Sequence, residues 1–233
     1  MAASKTGMLL RKAKYIQQRE GWLALARRAS LFFIRSIFDH QTYYIYENQS
    51  DGKVELTPKV KNLTFKAVST PEELDRLLAE GFDISSYLDM KFDLDVEEIK
   101  RRIDRGATLF CAFVGKELAY VSWIAFTEQA RRDIDVVPCA VNYESEACGG
   151  GAETMPKYRN LGLHTLGVHK RCQFARERGL KLKFTVLKSI LAAHEAHSRA
   201  GSTVCGGVDY WKFFSREAWR EKPVRQNPWV QER

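Results

Sequence analysis

Residues 154–164 read TMPKYRNLGLH, a short loop holding Arg159 and Gly162 between a strand-like run and a basic helix. A strand that ends in such a loop and opens a helix aims free backbone N–H groups at one point. The positive end of the helix adds to their field, which makes the point a natural anion site. A phosphate bound there would belong to a nucleotide-type cofactor. An ordinary strand–turn–helix connection would use the same arginine and glycine, so the flanking elements must decide between the two readings.

Downstream, residues 165–178 read as a helix stopped by Gly179, and 180–187 as a β-rich strand. Residues 189–200 read as a helix stopped by Gly201, and 202–214 as one or two closing strands. Upstream lies an extended stretch, 139–153, behind a charged segment, 127–135. Ala107 to Val114 and Glu117 to Phe126 are apolar strands around Gly115-Lys116, a tight hairpin signal. A helix over 96–105 ends at Gly106. Thr70-Pro71-Glu72-Glu73 starts another, which runs to Glu80: threonine caps it, proline sits in its first turn, and the acids meet its positive end. Strands at 62–68 and 43–46 precede it, separated by the Ser50-Asp51-Gly52 turn. A helix between neighbouring strands implies a parallel crossover, and the hairpin implies antiparallel pairing. The expected fold class is α/β, with a mixed, mainly antiparallel central sheet, helices on both faces, and basic helices at the N-terminus.

The chain has 233 residues, 45% of them hydrophobic, with 13 Phe, 9 Tyr and 5 Trp, enough for a substantial core. One domain with appendages is the natural division: a basic helical extension with a connecting strand over 1–59, the main domain over 60–216, and a tail over 217–233. Cys111, Cys139, Cys148, Cys172 and Cys205 are scattered and form no C-x-x-C pair, so they read as reduced thiols in a cytoplasmic protein. No spacing supports a metal site, and no apolar run approaches the roughly 20 residues of a spanning helix. The beginning of the sequence lacks a signal-peptide layout. Cys148 has no histidine near it in sequence to make it a nucleophile.

Charge concentrates at one end. The net charge is +8, and residues 1–40 hold eight basic against two acidic side chains. Residues 8–19 and 22–38 are helical in pattern, with a break at Gly21. Trp22, Leu25, Ala29, Phe32, Phe33 and Ile37 form an aromatic face on the second helix. Such a face packs on the domain or on a second copy of the chain, or meets an anionic membrane surface through residues 8–38, at the periphery of the membrane. Basic charge alone licenses only nonspecific attraction to nucleic acid, and no nucleic-acid motif accompanies it.

From Val60 to Phe214 the chain resembles the GNAT acyltransferase superfamily, whose pattern V-x-P-x-Y-R-x-x-G-x-G/A is filled here by Thr154, Pro156, Tyr158, Arg159, Gly162 and His164. The resemblance implies a GNAT acyl-CoA N-acyltransferase fold. It also implies that the amides of Arg159, Asn160, Leu161, Gly162, Leu163, His164 and Thr165, with Thr154 and Met155 beside them, hold coenzyme A, with acetyl-CoA as the expected donor. In the family two central parallel strands splay around the thioester arm, and the matching strands here are 145–154 and 181–187. Thr154 replaces an aliphatic residue, His164 a small one, and Ile190 stands where members tend to carry asparagine.

Acyl transfer to an amine needs the amine neutral, so a base takes its proton directly or through water. Glu144, Glu146 and Glu153 lie on the strand beside the expected thioester. In a regular strand Glu144 and Glu146 share a face and Glu153 opposes them, while Gly149-Gly150-Gly151 permits a bulge. Glu146 is expected as the base, with Glu144 next. His197 stands where the family often places a tyrosine, four residues before the glycine that ends the last helix, and is the expected proton donor to the thiolate. His194 lies three residues earlier. The expected function is transfer of an acyl group from acyl-CoA to an amine by direct attack. The alternatives are a GNAT-fold protein that binds without turnover and a membrane-surface protein built on its N-terminal helices.

Overall fold

The computed structural model describes residues 38–48, 58–91, 94–134, 139–214 and 216–224, together with residues 17, 21–23 and 26. The expected basic helices over 8–19 and 22–38 otherwise lie outside the described residues. Strand β1 (Phe38–Asn48) opens the described fold, followed by β2 (Leu63–Val68), α1 (Pro71–Ala79), α2 (Ser85–Met90) and α3 (Val96–Asp104). The hairpin β3 (Ala107–Val114) and β4 (Glu117–Ala125) leads to the short helix α4 (Glu128–Asp133) and then β5 (Glu146–Thr154). A 3₁₀ turn (Pro156–Tyr158) precedes α5 (Leu163–Arg176), β6 (Lys181–Leu187), α6 (Leu191–Arg199), β7 (Ser202–Phe213) and β8 (Arg216–Lys222).

Local sequence explains most of these starts. The Thr70 side chain accepts from the Glu73 amide at 3.2 Å, Asp95 from Glu98 at 2.7 Å, and Thr127 from Ala130 at 3.0 Å, each satisfying an orphan donor of a first helical turn. The same chemistry makes α4 a helix within the charged segment. The stretch 139–153 is extended only from Glu146 onward, because Asn142 to Ser145 turn back on themselves: Ser145 N and Glu146 N both donate to Asn142 O.

The eight strands form one sheet in the order β2-β3-β4-β5-β6-β1-β7-β8. Only β5 and β6 pair in parallel among the hydrogen-bonded neighbours. The mixed, mainly antiparallel sheet with helices on both faces is therefore present. Strand β1, from the N-terminal segment, runs between β6 and β7, and β8 extends the sheet across position 216 into the expected tail.

Alternation along the strands sorts the core into two layers. Leu109, Cys111, Phe113, Val121 and Trp123 face α1 and α3, burying Leu74, Leu77, Ile99 and Ile103. Phe110, Ile124, Ala147, Phe184, Val186, Tyr44 and Tyr46 face α5 and α6 and pack with Val168, Cys172, Ala175 and Ala200.

Candidate functional site

Strands β5 and β6 hold each other only over Glu146–Gly149 against Lys181–Phe184. Beyond that point β5 follows β4 to Thr154, and β6 follows β1 to Leu187. The glycines are why. Between Val121↔Glu153 and Trp123↔Gly150 the register shifts, so β5 carries an extra residue there. Gly151 takes φ 57°, and a side chain on it would meet Trp123 Cδ1 at 2.8 Å. The bulge turns β5 away from β6 and leaves a cleft of about 630 Å³ at their C-terminal ends.

The loop at the cleft mouth exposes its amides. Asn160 has φ 63° and Gly162 φ 83°, and no side chain caps α5. The helical ladder begins with Leu166 N donating to Gly162 O at 3.1 Å. Among the described residues the N–H groups of residues 162–165 donate to no backbone acceptor, while Lys59 N fixes the loop from outside by donating to Leu161 O at 3.0 Å. A helix end left so bare is a ready anion cradle.

Of the residues expected to hold a cofactor, Thr154, Arg159, Asn160, Gly162, Leu163, His164 and Thr165 line the cleft. Met155 is buried, its amide bonded to Ala119 O at 3.0 Å, and Leu161 packs against the core. The opposite wall comes from Ile190, Ala192, Ala193, Glu195, Ala196 and Arg199.

The expected catalytic residues lie elsewhere. Glu146 begins β5 and Thr154 ends it, so about 25 Å of strand at 3.3 Å per residue separates Glu146 from the loop. Its carboxylate accepts from Lys183 Nζ at 2.8 Å and from the Asn142 amide at 2.9 Å. Burial opposes ionisation, but these partners outweigh it and hold the carboxyl below its ordinary range. Glu144 is exposed in the turn before β5, and its amide donates to Asn142 Oδ1 at 3.2 Å. Strand direction thus separates both glutamates from the cleft. Glu153 lines it instead, half-buried, 3.5 Å from Lys91 Nζ. The bulge places it there by resetting the alternation.

His197 is 3% exposed and sits behind the α6 wall. Its ring stacks on Tyr46 at 5.0 Å and meets Phe184 edge-on at 4.6 Å and His164 at 5.9 Å. His194 accepts from Tyr46 Oη at Nδ1 (2.8 Å), because its Nε2–H donates to the carbonyls of Leu187 and Lys188 at 3.1 and 3.2 Å. Burial first, then neighbouring Arg171, lowers His164 to about 4. Burial and then His164, Arg171 and His194 push His197 well below its ordinary value. All of these depress the charged form.

Sequence reasoning missed Arg171 and Tyr120. Arg171 is 1% exposed and donates from Nη2 to Tyr120 Oη at 3.3 Å. The available signal was the pair Gly167 and Arg171, one helical turn apart on a sheet-facing side: a side chain on Gly167 would stand 2.2 Å from the Tyr120 ring.

No protein-family model matches the sequence, and no curated protein matches it. Solved structures do. An acetyltransferase from the GNAT family of Colwellia psychrerythraea is similar over 76% of this chain at 15% identity, with a TM-score of 0.47. A functionally unknown conserved protein from Staphylococcus epidermidis covers 81% at 12% identity and 0.46. A GCN5-related N-acetyltransferase-like protein from Streptococcus suis covers 87% at 14% identity and 0.45. This chain spans 56%, 65% and 69% of those three structures' own lengths. The splayed pair β5–β6, with the bare start of α5 at its mouth, is read from this chain's own topology.

Proposed function

We propose that the protein is an acyl-CoA-dependent N-acyltransferase. The observation that carries this reading is the row of amides at residues 162–165 that meet no backbone acceptor among the described residues, at the open end of the parted strands. Those amides and the start of α5 would hold the diphosphate of coenzyme A, with Arg159 beside it, and the cofactor arm would lie along β5. When bound, acyl-CoA supplies an activated thioester. An amine acceptor attacks its carbonyl carbon, the C–N bond forms, the C–S bond breaks, and coenzyme A leaves as the thiolate.

Glu153 is the carboxylate placed to take the amine's proton, in place of Glu146, which serves as the partner of Lys183. His197 reaches the cleft only through His164, and both rings are held neutral. A thiol titrates near pH 8.5, so the thiolate can take its proton from solvent without an imidazolium.

Acetyl-CoA tests the cofactor site. Ligand that binds only the folded chain raises the melting temperature, by about 2.7 kcal/mol of stabilisation at a hundredfold excess over Kd. No shift at millimolar acetyl-CoA removes the reading. Binding without turnover is favoured by one observation: Ile190 is 48% exposed on the cleft wall and offers the cofactor arm no polar contact. Thiol release across a panel of amines separates the two.

The reading also includes contact between residues 8–38 and an anionic membrane surface. Phe213 and Phe214 support it, 56% and 58% exposed at the β7–β8 turn, with Phe213 in register with the first residue of β1. Sedimentation with anionic liposomes, with and without residues 1–36, measures it, and equal partitioning rejects it. Ending the deletion at 36 spares β1.

A further inference from the structure

Arg171 is a buried cation without a carboxylate partner among the described residues. Its guanidinium donates to Gly167 O at 3.2 Å, Trp123 O at 3.3 Å and Tyr120 Oη at 3.3 Å, and stands 4.9 Å over the Phe184 ring. Guanidinium has five N–H donors, so two remain without an acceptor. Taking such an ion out of water costs several kcal/mol even after relaxation. Two carbonyls, a phenol and a ring face offset part of that, but none carries a negative charge.

The neighbours deepen the imbalance. The ionisable groups acting on His197 are His164, Arg171 and His194, all basic. His197 Nδ1 is itself buried without a hydrogen-bond partner among the described residues. Three histidines and an arginine therefore share one apolar layer that holds no carboxylate among the described residues.

Their position gives the imbalance a use. Gly149 and Phe184 are the last residues that β5 and β6 pair before parting. A side chain on Gly149 would stand 3.3 Å from Arg171 Nη1, which places the guanidinium beside the last paired residues of β5 and β6, behind the residues that line the cleft. His164 forms the cleft wall in front of it, 3.5 Å from Tyr120 Oη. A ligand whose diphosphate sits at the loop points its acyl end toward the place where the strands part.

We propose that Arg171, with His197 beside it, receives a carboxylate borne on the acyl group, so that the chain prefers dicarboxylic acyl thioesters to acetyl-CoA. This rests on the acyl-CoA reading and narrows its donor. The carboxylate stays on the transferred group, and the bonds made and broken at the thioester are unchanged. A charge-assisted contact with a buried arginine is worth tenfold or more in affinity, by the roughly 1.5–3 kcal/mol of hydrogen bonds to charged groups.

Calorimetric titration of the full chain with acetyl-, butyryl-, malonyl-, succinyl- and glutaryl-CoA tests it. The expected result is one dicarboxylic thioester binding at least about tenfold tighter than acetyl-CoA and than butyryl-CoA, which extends the acyl chain without the charge. Arg171→Gln should abolish that preference and Arg171→Lys should keep part of it. Equal affinities across the panel in the wild type overturn the proposal while leaving the acyl-CoA reading intact, as does a preference undiminished in Arg171→Gln. The wild-type comparison alone decides if the variants fail to fold. Absence of binding by every thioester overturns both readings.

Discussion

The ring of Phe184 occupies the space that a side chain on Gly149 would need: a Cβ there would lie 2.4 Å from Phe184 Cε1. These two residues are also the last register partners of β5 and β6. The vertex of the cleft is thus set by a large ring laid across a residue with no side chain.

Gly149→Ala should therefore destabilise the fold by about 1–3 kcal/mol, the range for forcing an extra methyl into a packed core. Urea denaturation measures it. Phe184→Leu in the same chain should recover part of the loss, giving a cost below the sum of the single changes, as residues in contact do. Additive costs would show that the ring yields freely and does not set the vertex.

Two glutamates on one strand should behave differently. Glu153→Gln should lower turnover by a factor of about 10²–10⁴, the contribution of a positioned base, with little change in acetyl-CoA affinity. Glu146→Gln should leave turnover near wild type and cost about 1–3 kcal/mol of stability through the abandoned Lys183. Because the folded value of Glu146 is lowered, its unfolded form binds a proton first as pH falls below about 4.5. The stability it contributes is present above that pH and is lost as pH falls through the folded value. Glu146→Gln should lose that acid-sensitive part. Wild-type turnover in Glu153→Gln rejects the base assignment.

The contrast between these glutamates also marks where sequence reading stops. Caps such as Thr70 and Asp95 and the Gly115-Lys116 turn act within a few residues, and they stand where the sequence places them. The parity of Glu153 depends on a bulge whose position is set by Trp123 on the neighbouring strand, and the place of β1 between β6 and β7 depends on partners more than 130 residues away. Arg171 was legible only as one more basic residue on a basic helix. Its burial depends on Gly167 making room for Tyr120.

The histidines predict an acid-labile fold. His164 titrates at about 4 when folded and about 6.5 when unfolded, and His197 is displaced further in the same direction. Between the two values the unfolded chain holds the proton and the folded chain does not, so stability falls as pH is lowered through that window. The slope is at most about 1.4 kcal/mol per pH unit for each such histidine. Denaturation midpoints at pH 7, 6 and 5 measure it, and His197→Phe should flatten the curve. Stability unchanged from pH 7 to 5 would mean that these rings are solvated.

The start of α5 supports a final prediction. Gly162 has room for a side chain, since an added Cβ would find only Pro58 Cα, at 3.8 Å. Its φ of 83° is strained for other residues, by about 1–2 kcal/mol. Gly162→Ala should therefore cost that amount of stability and little else at the cleft. Gly162→Asp carries the same backbone strain and adds a negative charge beside the bare amides of residues 163–165, where it competes with any bound anion. It should melt no lower than Gly162→Ala, because the carboxylate complements the positive end of α5, while its affinity for acetyl-CoA falls at least about tenfold below that of the alanine variant. The alanine variant separates charge from strain. Equal affinity in the two would show that no anion is held at the start of α5, and the diphosphate assignment would fall with it.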